Sequence, residues 1–557
     1  MKTTSLLRLT VLLALGNSAL AFAQAPPPPL PPLGPPPIPA GNPQTTAKIN
    51  LGMTLFWEEQ LSVTGTAACG TCHRSFSGGS DPRTSLDTVI SANPGPDNIF
   101  GNADDIHGSP GVPAHAADGL YFPVASFTVK PQVGTRRSPS AIDAAYAPLL
   151  FWDGRAGGSF ADPQTGQVLI ATGGALENQS LQPLINSTEM SPSGALVNDI
   201  GARIANVVPL ALATSIPTSL TSWIKGRAYP DLFNEAFGSS QMSSVHIAMA
   251  IASYERTLAA NQTPLDSQPP NLTQQEQQGQ QLFGANNCAA CHAGSLFSDN
   301  QFHYTGVRPV NDDHGRFAIV GVNPNVNEGA MRTPSLRNVA LRAPYMHNGR
   351  FATLADVVAF YNRGGDFNAP SKDPRVHPLN LNAQQQAALV AFMGRPLTDL
   401  RVQAESGPFA RPTLYTESDR QPQIVGTGVT GSGGTQAQIE ALEPPILGNH
   451  NFTVAVSQAL GGAHATLVVA HNDPGVQASV PNGDFANLAV TLAGSGAAAG
   501  TGSVNVDLGD NTSLIGQTLY GRYYIADPGA PNGLAVTAAF QINVFGSGDH
   551  VFANDFD

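Results

Sequence analysis

All four cysteines of this 557-residue chain lie in two pentapeptides, Cys69-Gly-Thr-Cys72-His73 and Cys288-Ala-Ala-Cys291-His292. A Cys-x-x-Cys pair serves as a redox disulfide, as half of a zinc site, or as the attachment point of a haem. Zinc wants a tetrahedral Cys/His set at finger-like spacing, and pairs this far apart would meet only by tertiary accident. A redox motif of the thioredoxin kind explains neither the second copy nor the histidine that closes each one. Cys-x-x-Cys-His is the signature of c-type haem attachment: the thiols add to the porphyrin vinyl groups and the adjacent histidine binds iron. Two copies and no spare cysteine predict two covalently bound c-type haems.

What such haems do depends on their other face. A haem with ligands on both faces carries electrons, whereas one with an open face binds peroxide or oxygen. Cleaving a bound peroxide also requires a group that moves a proton between its two oxygens, and a place for the oxidising equivalents. The residues to find are therefore a carboxylate, aromatic residues near the haems, and distal ligands among His, Met, Tyr and Lys.

The elements that must position these residues can be read along the chain. Lys2 and Arg8, the apolar run that follows and the small-x-small site Ala21-Phe22-Ala23 predict a cleaved signal peptide over 1–23, hence a periplasmic or secreted protein. Loss of Lys2 and Arg8 takes the formal charge from −13 to −15. That balance argues against nucleic acid. After the N-terminus no segment approaches the roughly 18 apolar residues of a membrane span. Residues 24–46 form a proline-rich linker, expected to be an extended spacer that holds the body away from what precedes it. A first haem domain is expected over 47–265, with a long Gly/Pro/Asn/Asp loop at 77–135 and a helix around 243–260 that is apolar on one face. The loop's acidic residues Asp97, Asp104 and Asp105 lack an EF-hand pattern and read as a solvated loop. A linker at 261–272 leads to a second haem domain over 270–402, opened by a capping box of Thr273 and Glu276. The two units repeat one plan: helix, haem motif, long loop, helices. From 412 to 545 short alternating strands between Gly, Asn, Asp and Pro turns predict an immunoglobulin-like β-sandwich, and 546–557 is a tail. The fold class is thus multidomain, two mostly α-helical cytochrome c-like domains followed by an all-β domain.

Five motifs in order carry a family resemblance. They are FWDGRA (151–156), LENQSLQPLINSTEM (176–190), YERTL (254–258), FHYTGV (302–307) and RTPSLRNVALRAPYMHNGRFATLADVVAFYNRGG (332–365). With both haem motifs in place, residues 47–402 resemble the bacterial dihaem cytochrome c peroxidase and MauG family. The resemblance implies that the His73 haem meets peroxide and the His292 haem transfers electrons. It implies Glu189 as the acid that assists peroxide cleavage, Gln179 as the distal glutamine, and Trp152 as a relay between the haems. The distal ligand of the second haem is methionine in the peroxidases and tyrosine in MauG; the aligned residue here is Tyr361, with Met346 and Met393 as alternatives. The distal histidine of many of these peroxidases is missing from ASFTVKPQVGTRRSPS, although His107 and His115 stand upstream in the loop; an open or water-filled first haem is expected. The family's interdomain calcium uses an asparagine side chain where this chain has Arg137, near carbonyls of the stretch Arg342 to Pro344. A guanidinium cannot ligate a cation, which argues against that calcium.

The function so implied is an exported dihaem peroxidase. Hydrogen peroxide is reduced at the N-terminal haem, and a small cytochrome c or copper protein donates electrons through the C-terminal haem. The alternatives are MauG-like oxidation of a partner protein or other substrate through high-valent dihaem iron, and a dihaem oxygenase. A passive electron carrier would have no use for Glu189 and Gln179.

Overall fold

The structure, a computed structural model, describes residues 30–548 apart from Thr88. The expected signal segment and the last residues of the tail fall outside the described residues.

Each haem-bearing unit is built around a pair of crossed helices, and the crossings are made the same way. In the first, helix Thr46–Phe56 packs on helix Ser244–Glu255. In the second, Gln274–Ala285 packs on Ala383–Met393. Thr45, Thr273 and Asn382 cap three of these helices by accepting a backbone N–H in the first turn. Thr273 and Glu276 form the expected reciprocal box, with Thr273 N donating to Glu276 Oε2 at 2.7 Å. A glycine lies at each crossing. A Cβ on Gly52 would fall 1.9 Å from Ala250 O, and one on Gly279 would fall 2.0 Å from Ala388 O. The units therefore share their closest helix contact as well as their sequence plan.

Helix Ser244–Glu255 differs from the sequence expectation. It is buried on nearly every side, with Ile247, Ala248, Ala250, Ile251 and Ala252 at most 1% exposed. A helix that is apolar all round belongs in the middle of a domain, and this one is the centre of the N-terminal core. Residues 77–135 are largely irregular, as their composition predicts, with a few 3₁₀ turns and two-residue strands.

Two connecting segments are held down more firmly than their composition suggests. Asp266, in the stretch between the units, takes a bidentate pair from Arg337 at 2.8 Å on each oxygen. The proline-rich segment also departs from its expected role. Its described part lies along the body: Tyr146 OH donates to Gly34 O (2.6 Å), Ser295 Oγ donates to Pro31 O, and Asn42 is fully buried on Glu177 and Met249. The extended segment makes no backbone ladder there, and its Pro31 and Gly34 carbonyls accept these side-chain donors.

After helix Leu400–Gln403 the chain returns to the first unit before entering the β-domain. The Glu59 carboxylate accepts from Tyr415 N, Thr416 N and Thr416 Oγ1, and Arg74 pairs with Glu417. The β-domain contains strands β1 (Gln423–Val425), β2 (Gln438–Ala441), β3 (Phe452–Gly461), β4 (His464–Ala470), β5 (Ala486–Thr491), β6 (Gly496–Val506), β7 (Thr518–Ala526), β8 (Leu534–Val536) and β9 (Ala539–Asn543). A six-stranded antiparallel sheet has the order β5-β4-β7-β9-β1, with β8 paired to β7, and faces a three-stranded sheet β6-β3-β2. Alternate residues fill the space between them, among them Phe452, Val454 and Val456 of β3 and Leu519, Tyr523 and Ile525 of β7. The opposite face of β3 is buried too: Thr453, Ala455 and Ser457 are at most 1% exposed. That second face packs against the first haem unit.

Candidate functional site

The N-terminal motif forms a single helical turn, Cys69–Cys72, with His73 at its end. His73 Nδ1 stands 3.1 Å from Gly79 O. A carbonyl oxygen only accepts, so Nδ1 carries the proton and Nε2 is left as a ligand. The C-terminal motif repeats this device, with His292 Nδ1 donating to Phe297 O at 2.9 Å. Burial lowers the pKa of both imidazoles, which keeps them neutral. Each histidine faces a phenylalanine of its unit's first helix, Phe56 or Phe283. All four thiols are unpaired, which leaves no disulfide between them. Burial drives the Cys69 thiol far up and the Cys72 and Cys288 thiols to about 12 and about 11.

A cavity of about 50 Å³ adjoins the first motif and brings together most of its predicted partners. Cys69, Cys72, His73, Gln179 and Glu189 line it, with Phe56, Met190 and Ile251 as apolar wall. Gln179 comes from helix Ala175–Leu181, and Glu189 from the turn that follows. Asn186 Nδ2 donates to Glu189 Oε1 at 3.0 Å, and burial raises the Glu189 pKa against the opposing pull of Arg155. His73 is the one histidine on this wall among the described residues. The upstream histidines do not reach it. His115 is fully buried elsewhere, with Nδ1 donating to Pro113 O (2.6 Å) and Nε2 3.9 Å from Glu443 of the β-domain. His107 lies against Gly349 of the second unit.

The same wall carries a residue to which the sequence reading gave no role. Glu255, in YERTL, is 4% exposed, and burial pushes its pKa up to about 8. Its neighbour Arg256 is committed to Glu177 through bonds of 2.8 and 2.9 Å, and Glu255 has no ion-pair partner among the described residues, only Ser180 Oγ donating at 3.5 Å. The sequence shows the motif but not that its arginine turns away to Glu177.

A larger cavity, about 260 Å³, adjoins the second motif and extends to the first unit. Cys288, Cys291, His292, Tyr361, Met346 and Met393 line one part; Arg137, Ser140 and Trp152 line another. Tyr361 sits on helix Leu354–Asn362, and burial drives its phenol pKa well up, with Cys291 and Cys288 near enough to add to the effect. An anionic oxygen at that position needs a cation beside it. Trp152 Nε1 donates to Arg137 O (2.8 Å), and the next residue's Ser138 Oγ donates to Cys72 O (3.2 Å). The indole edge meets His347 at 6.2 Å between ring centres. Trp152 is thus tied to the first motif by two hydrogen bonds and one peptide link, while its ring faces the second cavity.

The polar lining of the larger cavity holds Arg137, Arg332 and Arg342 as well as Asp143, Asp313 and Asp373. Arg137 and Arg342 are at most 7% exposed, Arg332 is largely enclosed, and none has a carboxylate within ion-pair distance among the described residues. Arg137 Nε, Arg332 Nε and His347 Nε2 are buried without a hydrogen-bond partner. Burial pulls the pKa of Arg137, Arg332 and Arg342 down to about 10, with repulsion from Arg342 adding to the fall at Arg137 and Arg332. Orphaned buried cations call for an anionic group. A haem fits: its carboxylates answer the guanidiniums, its vinyl groups the cysteines and its iron the free imidazole nitrogen. Calcium does not fit. Arg137 Nη2 donates to Ala343 O (3.2 Å), placing a guanidinium on the carbonyl stretch where the cation would be held. The one His/Cys/Asp/Glu cluster of metal-binding geometry among the described residues is Cys291, Asp299 and His303, and it includes a haem-attachment cysteine.

Two free thiols beside a free imidazole nitrogen, repeated on two matching helical units, define a dihaem c-type cytochrome. Comparison with known proteins places it further. Residues 46–274 match the di-haem cytochrome c peroxidase family, and residues 276–395 match cytochrome c. The haem-bearing body of the chain, residues 46–395, is thus similar throughout to di-haem cytochrome c peroxidases and MauG. The chain is 26% identical to the methylamine utilization protein MauG of Methylophilus methylotrophus, over 64% of its own length and 84% of MauG. It is 29% identical to the cytochrome-c peroxidase IdrP1 of Pseudomonas sp. (strain SCT), covering 66% and 85% of the two chains. Cytochrome c551 peroxidase of Pseudomonas aeruginosa is 28% identical over 57% and 72%. A solved MauG-like protein associated with microbial copper homeostasis is 26% identical, covers 68% of this chain and 96% of its own, and superposes with a TM-score of 0.47. No helix among the described residues is long and apolar enough to cross a membrane.

Proposed function

We propose that this chain is an exported dihaem peroxidase in which hydrogen peroxide is reduced beside Cys69, Cys72 and His73. Electrons enter through the Cys288–His292 site from a small cytochrome c or copper protein. The observation that carries the reading is the convergence of Glu189 and Gln179 with His73 on one cavity that, among the described residues, holds no second histidine. When bound, the haem supplies an iron that takes up the oxidant on one site and relays electrons on the other. The chain's own residues supply the proton chemistry. Reduction of peroxide to two waters consumes two protons and two electrons, and cleavage is easiest when the proton on one oxygen moves to the oxygen that leaves. Glu189 can accept and return that proton. Its Asn186 bond fixes the carboxyl, and burial keeps its proton affinity above that of an exposed glutamate. Gln179 offers an amide donor and acceptor on the same wall, suited to orienting the oxidant. Trp152, linked to the first motif and facing the second cavity, is the relay.

Tyr361 favours one second reading. A tyrosine facing the second cavity resembles the MauG arrangement, and an anionic oxygen ligand would favour the oxidised states of the iron. MauG-like oxidation of a protein partner follows from that choice. Steady-state turnover with hydrogen peroxide and a panel of reduced small cytochromes and copper proteins separates the two. The first reading expects rapid donor oxidation that saturates with peroxide; no turnover with any donor would remove it.

A further inference from the structure

The segment 109–133 joins the N-terminal haem pocket to the β-sandwich. Its stem is closed by Gly111 N donating to Gln132 O (2.8 Å) and Gln132 N donating to Val112 O (3.1 Å). The stem then holds the turn that bears Glu189: Val112 N donates to Thr188 O (3.1 Å), and Gln132 Nε2 donates to Ser187 O (2.9 Å). Contact here is close enough that a Cβ on Gly111 would fall 1.9 Å from Thr188 O and 2.9 Å from Glu189 Cα.

The tip of the segment is gripped by the β-domain. Thr453 Oγ1 donates to Gly119 O (3.1 Å), Ser503 Oγ to Tyr121 O (3.0 Å), and Asn505 Nδ2 to Asp118 O (3.0 Å). Tyr121 OH donates to Glu443 Oε1 (3.0 Å), and Tyr121, Val129 and Ala455 form a small buried apolar cluster. This is why the outer face of β3 carries Thr453, Ala455 and Ser457 and is buried. A free-standing sandwich would leave that face to water.

We propose that the β-sandwich is a positioning element for Glu189: by clamping the tip of 109–133 it fixes the stem, and the stem fixes the turn that aims the carboxyl at the first haem. This rests on the reading of Glu189 as the proton-moving group. Gln132 and Tyr121 are positioning residues and touch no reacting atom. The turn 186–191 closes on itself through Glu189, Met190 and Ser191 N–H groups that donate to Asn186 O, so the stem's bonds to Ser187 O and Thr188 O set where that turn as a unit sits. A misplacement of about 1 Å near a reacting centre costs on the order of a hundredfold in rate.

The test uses the full-length holoprotein with a stem variant, Gln132→Ala, and a tip variant, Tyr121→Phe/Ser503→Ala/Asn505→Ala. Each is made alone and in a Glu189→Gln background, and kcat/KM for hydrogen peroxide is measured with a reduced cytochrome donor. The clamp predicts a fall of roughly tenfold or more in the native background, and no further fall when Glu189 is already glutamine. The electron paramagnetic resonance signal of the second haem should stay as it was. Native-like rates in both variants would overturn the proposal, as would equal losses in both backgrounds, which mean general loosening. A silent Glu189→Gln would instead sink the functional reading and the clamp together.

Discussion

The matched helix crossings predict a matched pair of lesions with separate spectroscopic addresses. Gly279→Ala adds one methyl group in the middle of helix Gln274–Ala285. On an isolated helix this change stabilises by roughly 1 kcal/mol, because alanine loses less backbone entropy. Here the new Cβ would lie 2.0 Å from Ala388 O and 2.7 Å from Phe392 Cβ, where ordinary contacts begin at 3.4 Å. Backbone cannot rotate aside, so helix Ala383–Met393 must retreat by about an ångström along its contact. Overpacking of that kind costs typically 1–3 kcal/mol and more when backbone is struck, which outweighs the propensity gain. The expected net loss is up to about 2 kcal/mol. Thermal unfolding of the holoprotein measures it, and the resonance of the Cys288–His292 haem should broaden while that of the Cys69–His73 haem does not. Gly52→Ala, with its Cβ 1.9 Å from Ala250 O, should do the reverse. A rise in melting temperature for either variant would refute the crossing geometry.

Further outcomes follow from the buried groups. Glu255 has an ordinary pKa of 4.5 when unfolded and about 8 when folded. The folded state therefore holds an extra proton between those values, and stability falls as pH rises from about 4.5 to 8, by at most about 1.4 kcal/mol per pH unit from this group. Glu255→Gln should flatten that slope in denaturant titrations; an unchanged slope would remove the assignment. Because Arg137 holds the carbonyl of Ala343, prolonged treatment with a calcium chelator should leave both haem spectra and peroxide turnover unaltered. A loss restored by added calcium would contradict this. The ferric protein should show one high-spin and one low-spin haem, and Tyr361→Phe should change the low-spin signal alone. An unchanged spectrum would clear Tyr361 of ligation and turn attention to Met346 and Met393, which line the same cavity.

Much of the architecture was legible because it rests on local rules. The cysteine spacing, the Thr273–Glu276 box and the alternation of β3 and β7 each depend on neighbours in sequence. The grouping of His73, Gln179 and Glu189 was legible only through the family's ordered motifs, since no spacing rule brings residues 73, 179 and 189 to one cavity. What remained hidden depends on distant partners. His115 reads as a loop histidine but is covered by Glu443, more than 300 residues away. The proline-rich segment reads as a spacer but is held by Tyr146 and Ser295. Glu255 lacks an ion pair among the described residues because Arg256 turns to Glu177. The sequence places Arg137 and Arg342 near the family's calcium position, and only the fold shows them with Arg332 facing one cavity that requires an anion.

The central claim is that Glu189 moves a proton during peroxide reduction at the first haem. Its most direct test is the steady-state peroxide turnover of Glu189→Gln against the native holoprotein with one reduced cytochrome donor. General acid–base groups contribute on the order of 10²–10⁴ in rate. The account predicts a kcat lower by a factor in that range with both haems still attached, and turnover equal to that of the native protein would contradict it.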